Sequence, residues 1–177
     1  MATLNYLIVS TNKPYENEVG ILDDQSLIIN STIESVNNIS RVAYVKESPK
    51  DLVIQPGDQV IIHHNIFRQK NGVGGKPVPS DYYIEGNTYF VPLTEVMMYK
   101  RNNSWQALDP YVFVSPIPLR EDNRFSLSFK KGYKGREHQK GIVSFNNKDL
   151  FDQGVREGDE IAFTKYSEHE FFIDGQL

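Results

Sequence analysis

The sequence predicts an all-β protein built from two copies of one small module. Three observations predict it. Short runs of β-branched and aromatic residues recur along the 177-residue chain, each bounded by Gly, Pro, Asn or Asp, the pattern of strands closed by turns. Sustained apolar spacing at the helical period is hard to find. Local landmarks then recur in the same order in the two halves, which sets domain organisation before any chemistry is considered.

Taken in order, the predicted strands are 6–10, 41–45, 59–63, 89–91, 95–100, 111–117, 141–145, 160–165 and 170–173. The first, Tyr6-Leu7-Ile8-Val9-Ser10, is a run of strand formers. The strand at 59 follows Pro56-Gly57-Asp58, and the strand at 160 follows Glu157-Gly158-Asp159. In both turns Gly accepts positive φ and Asp caps nearby backbone donors, so a catalytic carboxylate is not implied. Asn102-Asn103-Ser104 suggests a turn, and Asp109-Pro110 breaks regular structure just before the strand at 111.

Tyr6-Leu7-Ile8-Val9-Ser10 recurs as Tyr111-Val112-Phe113-Val114-Ser115, and Ile54-Gln55-Pro56-Gly57-Asp58 as Val155-Arg156-Glu157-Gly158-Asp159. Tyr83-Ile84-Glu85-Gly86-Asn87 recurs as Phe172-Ile173-Asp174-Gly175-Gln176. The interval between copies shrinks where the first carries an extra loop, Arg68 to Asp81. The expected division is a first module over 1–108 with a long loop at 11–38, and a second over 109–177. In this register the second copy stops short of the final strand that the first carries at 95–100, and the exposed edge of such a barrel calls for a covering chain or for a native chain that extends further.

A formal charge of -4 and a pI near 5.6 give no basic footprint for a phosphate backbone, so nucleic acid is not an expected partner. The Cys count of zero excludes disulfides, thiolate nucleophiles and Cys-ligated metal, and fits a reducing, cytoplasmic setting. No run approaches the roughly 18 apolar residues of a membrane helix, and the amino terminus has no export pattern. His63-His64 are neighbours on a predicted strand and would point to opposite faces, with no further metal ligand nearby. The glycine-rich stretch 71–77 lacks the Gly-Lys-Ser/Thr ending of a phosphate loop and reads as surface loop. Trp105 reads as packing rather than a base-stacking platform, because no basic groove accompanies it. No catalytic residue, cofactor or metal is therefore expected, and the chain reads as a non-enzyme.

In this order, Arg41-Val42-Ala43-Tyr44-Val45, then Ile54-Gln55-Pro56-Gly57-Asp58-Gln59-Val60, then Tyr89-Phe90-Val91-Pro92-Leu93-Thr94-Glu95-Val96 resemble the GroES co-chaperonin family. The second half offers Lys140-Gly141-Ile142-Val143 and Val155-Arg156-Glu157-Gly158-Asp159-Glu160-Ile161 in the same places. The resemblance implies two tandem GroES-like, partly open β-barrels forming a homo-oligomeric ring that caps a GroEL-like chaperonin ring. The tandem arrangement resembles the double co-chaperonins of chloroplasts. The short link Lys46 to Asp51, where the bacterial family has a roof hairpin, looks more like bacteriophage co-chaperonins, which would place the chain in a host cytoplasm.

The polar segment 11–38 holds the apolar run Leu27-Ile28-Ile29. A segment of this composition is expected to be mobile when free and to order when its aliphatic side chains enter a groove. The resemblance supports that role, since the run precedes Arg41 by about the spacing of the family's aliphatic contact tripeptide. Ile21-Leu22 is a rival anchor. The same run could instead be a buried strand of a larger barrel. In the second copy the matching segment has Phe125-Ser126-Leu127-Ser128-Phe129, which alternates like a half-buried strand, followed by the basic Lys130-Lys131. A structural component of a virus particle or other assembly would reuse the same barrel without a chaperonin.

Overall fold

The computed structural model describes residues 5–14, 18–20, 26–28, 39–118, 136–165 and 167. The protein is all-β, and the chain divides into two compact units, Met1–Leu108 and Asp109–Leu177.

In the first unit the strands are β1 (Tyr6–Ser10), β2 (Glu18–Gly20), β3 (Ser26–Ile28), β4 (Val42–Glu47), β5 (Gln59–Ile62), β6 (Lys70–Asn71), β7 (Pro77–Val78), β8 (Tyr83–Glu85), β9 (Thr88–Pro92), β10 (Val96–Arg101) and β11 (Ser104–Ala107). Among the described residues, seven of them make one antiparallel sheet in the order β11-β10-β5-β4-β1-β9-β8, while β2 pairs with β3 and β6 with β7 in ladders of their own.

Alternation along the strands gathers the core on one face of this sheet. Leu7 lies opposite Val91, and Val9 opposite Tyr89 and Val45. Ala43 lies opposite Val60, which in turn faces Tyr99 across the other ladder. These residues join Ile39, Ile54, Ile66 and Phe67 in a single buried cluster. Phe67 meets Tyr89 edge to face, with ring centroids 4.7 Å apart. Burying a side chain of this size contributes about 1.5 to 3 kcal/mol. Two hydroxyls at the core are matched: Ser80 Oγ donates to the Ile66 carbonyl at 2.5 Å, and the Tyr99 hydroxyl donates to Gln106 Oε1. Ile61 and Met98 face each other on the opposite side of the sheet and are also buried.

The second unit contains β12 (Phe113–Pro118), β13 (Arg136–Phe145), helix α1 (Lys148–Asp152) and β14 (Glu160–Ala162). The sheet β12-β13-β14 repeats β1-β4-β5 in register. Val9 faces Val45 and Ser10 faces Tyr44; in the same places Val114 faces Val143 and Ser115 faces Ile142. Ala43 faces Val60, and Gly141 faces Ile161. Each copy shifts register at the same step, between Ile8 and Val9 in one and between Phe113 and Val114 in the other.

The corner that leads into the third strand repeats atom for atom. Gly57 N–H donates to the Val45 carbonyl and Gly158 N–H to the Val143 carbonyl, both at 2.9 Å. Gln55 N–H donates to Asp58 Oδ2 and Arg156 N–H to Asp159 Oδ2, both at 2.8 Å. Gly57 has φ +94 and Gly158 φ +92, values that favour glycine. One sequence device, Gly-Asp after a polar turn, thus builds the same corner twice.

Several elements depart from the sequence expectation. Residues 104–107, to which no strand was assigned, form β11, because Asn102 and Asn103 both adopt positive φ (50 and 61) and turn the chain back along β10. Strand β5 ends at Ile62, so His63 is not on a strand; it caps a 3-10 turn, and its ring lies 4.1 Å from that of His64 rather than on the opposite face. The glycine-rich stretch 71–77 closes a hairpin through Gly72 N–H to the Lys76 carbonyl. Helix α1 is capped by Asn147, whose side chain accepts from Leu150 N–H at 2.8 Å. The expected strand at 170–173 lies outside the described residues.

Candidate functional site

The segment between β1 and β4 is the first candidate. It leaves the sheet at Thr11, a buried residue whose N–H donates to the Asn87 carbonyl at 3.1 Å. Its return is fixed by Ser40, whose N–H donates to the Pro14 carbonyl at 3.0 Å, and by Ile39, which is buried in the main core. Exit and entry are therefore tied to each other and to the turn between β8 and β9. The excursion thus leaves from one end of the sheet, framed by the last residues of β1 and the first of β4.

Within it, β2 and β3 pair with Glu18 opposite Ile28, Val19 opposite Leu27 and Gly20 opposite Ser26. Leu27 and Ile28 therefore sit in β3, in a two-stranded ladder separate from the seven-stranded sheet. Ile29, Ile21 and Leu22 lie outside the described residues, as do Phe125–Phe129 and Lys130–Lys131 of the second copy. The tie between Ser40 and Pro14, and the anchor at Ile39, were not foreseen from sequence. Ile39 is an isolated apolar residue in a polar run, and that contrast was the available signal.

The corner at Asp58 is the second candidate. Its carboxylate is buried and clamped by Arg101 at the end of β10, with Nε donating to Oδ1 at 2.9 Å and Nη2 to Oδ2 at 2.5 Å. Nη2 also donates to the Val53 carbonyl at 2.7 Å. The guanidinium and the Gln55 N–H hold the Asp58 carboxyl below the ordinary carboxylate range, while burial works against them. A carboxylate fixed in this way is fully ionised and fully engaged, which suits a structural strut and not a proton donor.

At the other end of β5, His63 Nδ1 lies 3.7 Å from Glu95 Oε2 and accepts from Asn65 N–H. Among the described residues no group of three or more His, Asp and Glu side chains is placed to hold a metal ion. Trp105 stands on edge strand β11, half-buried, with Lys100 Nζ 5.1 Å from its ring centroid. No helix among the described residues is long and apolar enough to cross a membrane. No family model, curated protein or solved structure matches the chain.

Proposed function

We propose that this protein is a lid-type co-chaperonin of the GroES-like kind that performs no chemistry itself and docks on a chaperonin ring through the segment between β1 and β4. The observation that supports the reading best is that segment. A polar excursion with pinned ends issues from one end of a rigid sheet and carries an aliphatic run. Fixed roots limit the space the segment searches and so reduce the entropy lost on docking. A short aliphatic contact gives a modest affinity per chain, and repeating it around a ring supplies the avidity. The two-copy organisation and the resemblance to the family's ordered motifs favour the same reading.

Pull-down on a chaperonin in the presence of nucleotide, read by native mass, tests it. The wild-type chain is expected to be retained as a ring-sized complex. The triple variant Leu27→Ser, Ile28→Ser, Ile29→Ser should be lost from the complex while its melting temperature stays within a few degrees of wild type. If the triple variant instead melts far lower, the run is barrel core, since large-to-small core changes cost about 2 to 5 kcal/mol each. Retention of a stable triple variant moves the contact to Ile21 and Leu22 or to the matching segment of the second copy. If the wild type itself is not retained, the chain is better read as a structural component of an assembly.

A further inference from the structure

In the first unit the outer edge of β5 is covered by β10, with Val60 opposite Tyr99, Gln59 opposite Lys100, and Arg101 clamped on Asp58. Because β12-β13-β14 repeats β1-β4-β5 residue for residue, the same edge exists on β14. Among the described residues no strand pairs with it. Side-chain exposure follows that difference. Asp58, Val60, Ile61 and Ile62 are all buried, whereas Asp159 and Ala162 are exposed and Ile161 and Phe163 are only half-buried.

The corner is complete apart from the cation. Asp159 Oδ2 accepts from Arg156 N–H as Asp58 Oδ2 does from Gln55 N–H, but among the described residues no guanidinium meets its carboxylate. Arg156 itself is turned elsewhere. Arg156 Nη1 donates to the Phe151 and Val155 carbonyls, and its guanidinium lies 3.9 Å from the centroid of the Phe151 ring. Lys140 pairs with Glu160, and Lys148 with Asp152. Where β5 has Gln59 opposite Lys100, β14 has Glu160, so this edge, which no described strand covers, ends in two adjacent carboxylates, Glu160 pairing on its own sheet with Lys140.

We infer that the outer edge of β14, with Asp159 and Glu160, is a binding site for an extended segment of another polypeptide. That segment runs antiparallel to β14, is apolar or aromatic along its length, and ends in a Lys-Arg pair. Main-chain hydrogen bonds of strand addition supply the attachment. Lys opposite Glu160 and Arg across Asp159 set direction and register, as cross-strand charge pairs and bidentate guanidinium contacts do. The site rests on the internal repeat and does not depend on the chaperonin reading.

A peptide with the sequence of residues 95–107, labelled and titrated against the full chain by fluorescence anisotropy, tests it. Saturable binding is expected. Asp159→Asn in the protein, or Arg101→Gln in the peptide, should each weaken it about tenfold, the scale of one hydrogen bond to a charged group. Both changes together should weaken it no further than either alone. Asn keeps an oxygen to accept from Arg156 N–H, and unchanged hydrogen exchange at the Gly158 amide would show the corner intact. Glu160→Gln, which lies beyond the corner, should weaken binding about two- to threefold, as an exposed ion pair does. Peptides N-methylated on one or the other set of alternate amides separate strand addition from simple charge attraction, because only one set should lose binding. Absence of saturable binding up to millimolar peptide, or equal binding by wild type and Asp159→Asn, overturns the inference.

Discussion

The duplicated corner lets the worth of the Asp58 clamp be measured inside one molecule. Asp58→Ala removes the acceptor for Gln55 N–H and strands Arg101, whereas Asp159→Ala removes only the acceptor for Arg156 N–H. An ordinary hydrogen bond contributes about 0.5 to 1.5 kcal/mol and one to a charged partner about 1.5 to 3. Every 1.4 kcal/mol changes an opening equilibrium about tenfold. Hydrogen exchange at the Gly57 and Gly158 amides, which make matching bonds to Val45 and Val143, reads the two corners separately. Exchange at Gly57 should accelerate about 10- to 100-fold in Asp58→Ala, against about three- to tenfold at Gly158 in Asp159→Ala. The carboxyl of folded Asp58 lies below its ordinary value. Its contribution is therefore complete above the unfolded-state value of about 3.9 and is lost as the pH falls through the folded value. The gap between the two variants should accordingly close in acid. Equal acceleration at the two corners near neutral pH would refute the assignment of Arg101 as the clamp.

Gly141→Ala should destabilise the second unit by about 1 to 3 kcal/mol, because the added Cβ would lie 2.7 Å from Val114 Cβ and 3.1 Å from the Ser115 carbonyl, neither of which a rotamer change can move. Urea denaturation checks this, and adding Val114→Ala should not restore stability, since alanine keeps the offending Cβ. Phe67→Ala should cost the first unit about 3 to 5 kcal/mol by emptying the core beside Tyr89, measured as a lowered thermal midpoint. Sedimentation at micromolar concentration should reveal a ring-sized homo-oligomer, and a strictly monomeric chain would remove the main support for a lid.

The parts of the fold legible in the sequence are those whose cause is local. Gly57-Asp58 and Gly158-Asp159 announce their corners because only glycine takes the required φ easily and only a short carboxylate reaches back to the N–H three residues before it. The opening strands were visible as runs of β-branched and aromatic residues bounded by turn formers. Ladders with little apolar content were not: β6 and β7 are exposed along their length, and β11 was hidden because its turn was recognised but its pairing to β10 was not. Helix α1, at five residues, is too short to show a period. The Arg101 clamp was invisible because it joins residues 43 apart in sequence. At the candidate segment, Leu27 and Ile28 were legible as an aliphatic run, but the ties through Thr11, Pro14, Ser40 and Ile39 that root it depend on where β1, β4 and β9 meet.

The repeat also explains why the two units differ in burial despite equal local chemistry. A Gly-Asp corner and the two ladders between three strands bond most of their own backbone, so the motif forms in both places. Burial needs a further layer. In the first unit β9 covers the outer edge of β1 and β10 that of β5, and with Ile66 and Phe67 they take Val9, Val60 and Val91 to zero exposure. In the second unit Val143 alone among the apolar residues described falls in the buried class, although its strand is bonded on both sides. Hydrogen bonding of the sheet and desolvation of its apolar face are thus separable here. Among the described residues the same three-strand unit is flanked by β9 and β10 in one place and by no further strand in the other, and the deep burial of apolar side chains accompanies the flanked copy.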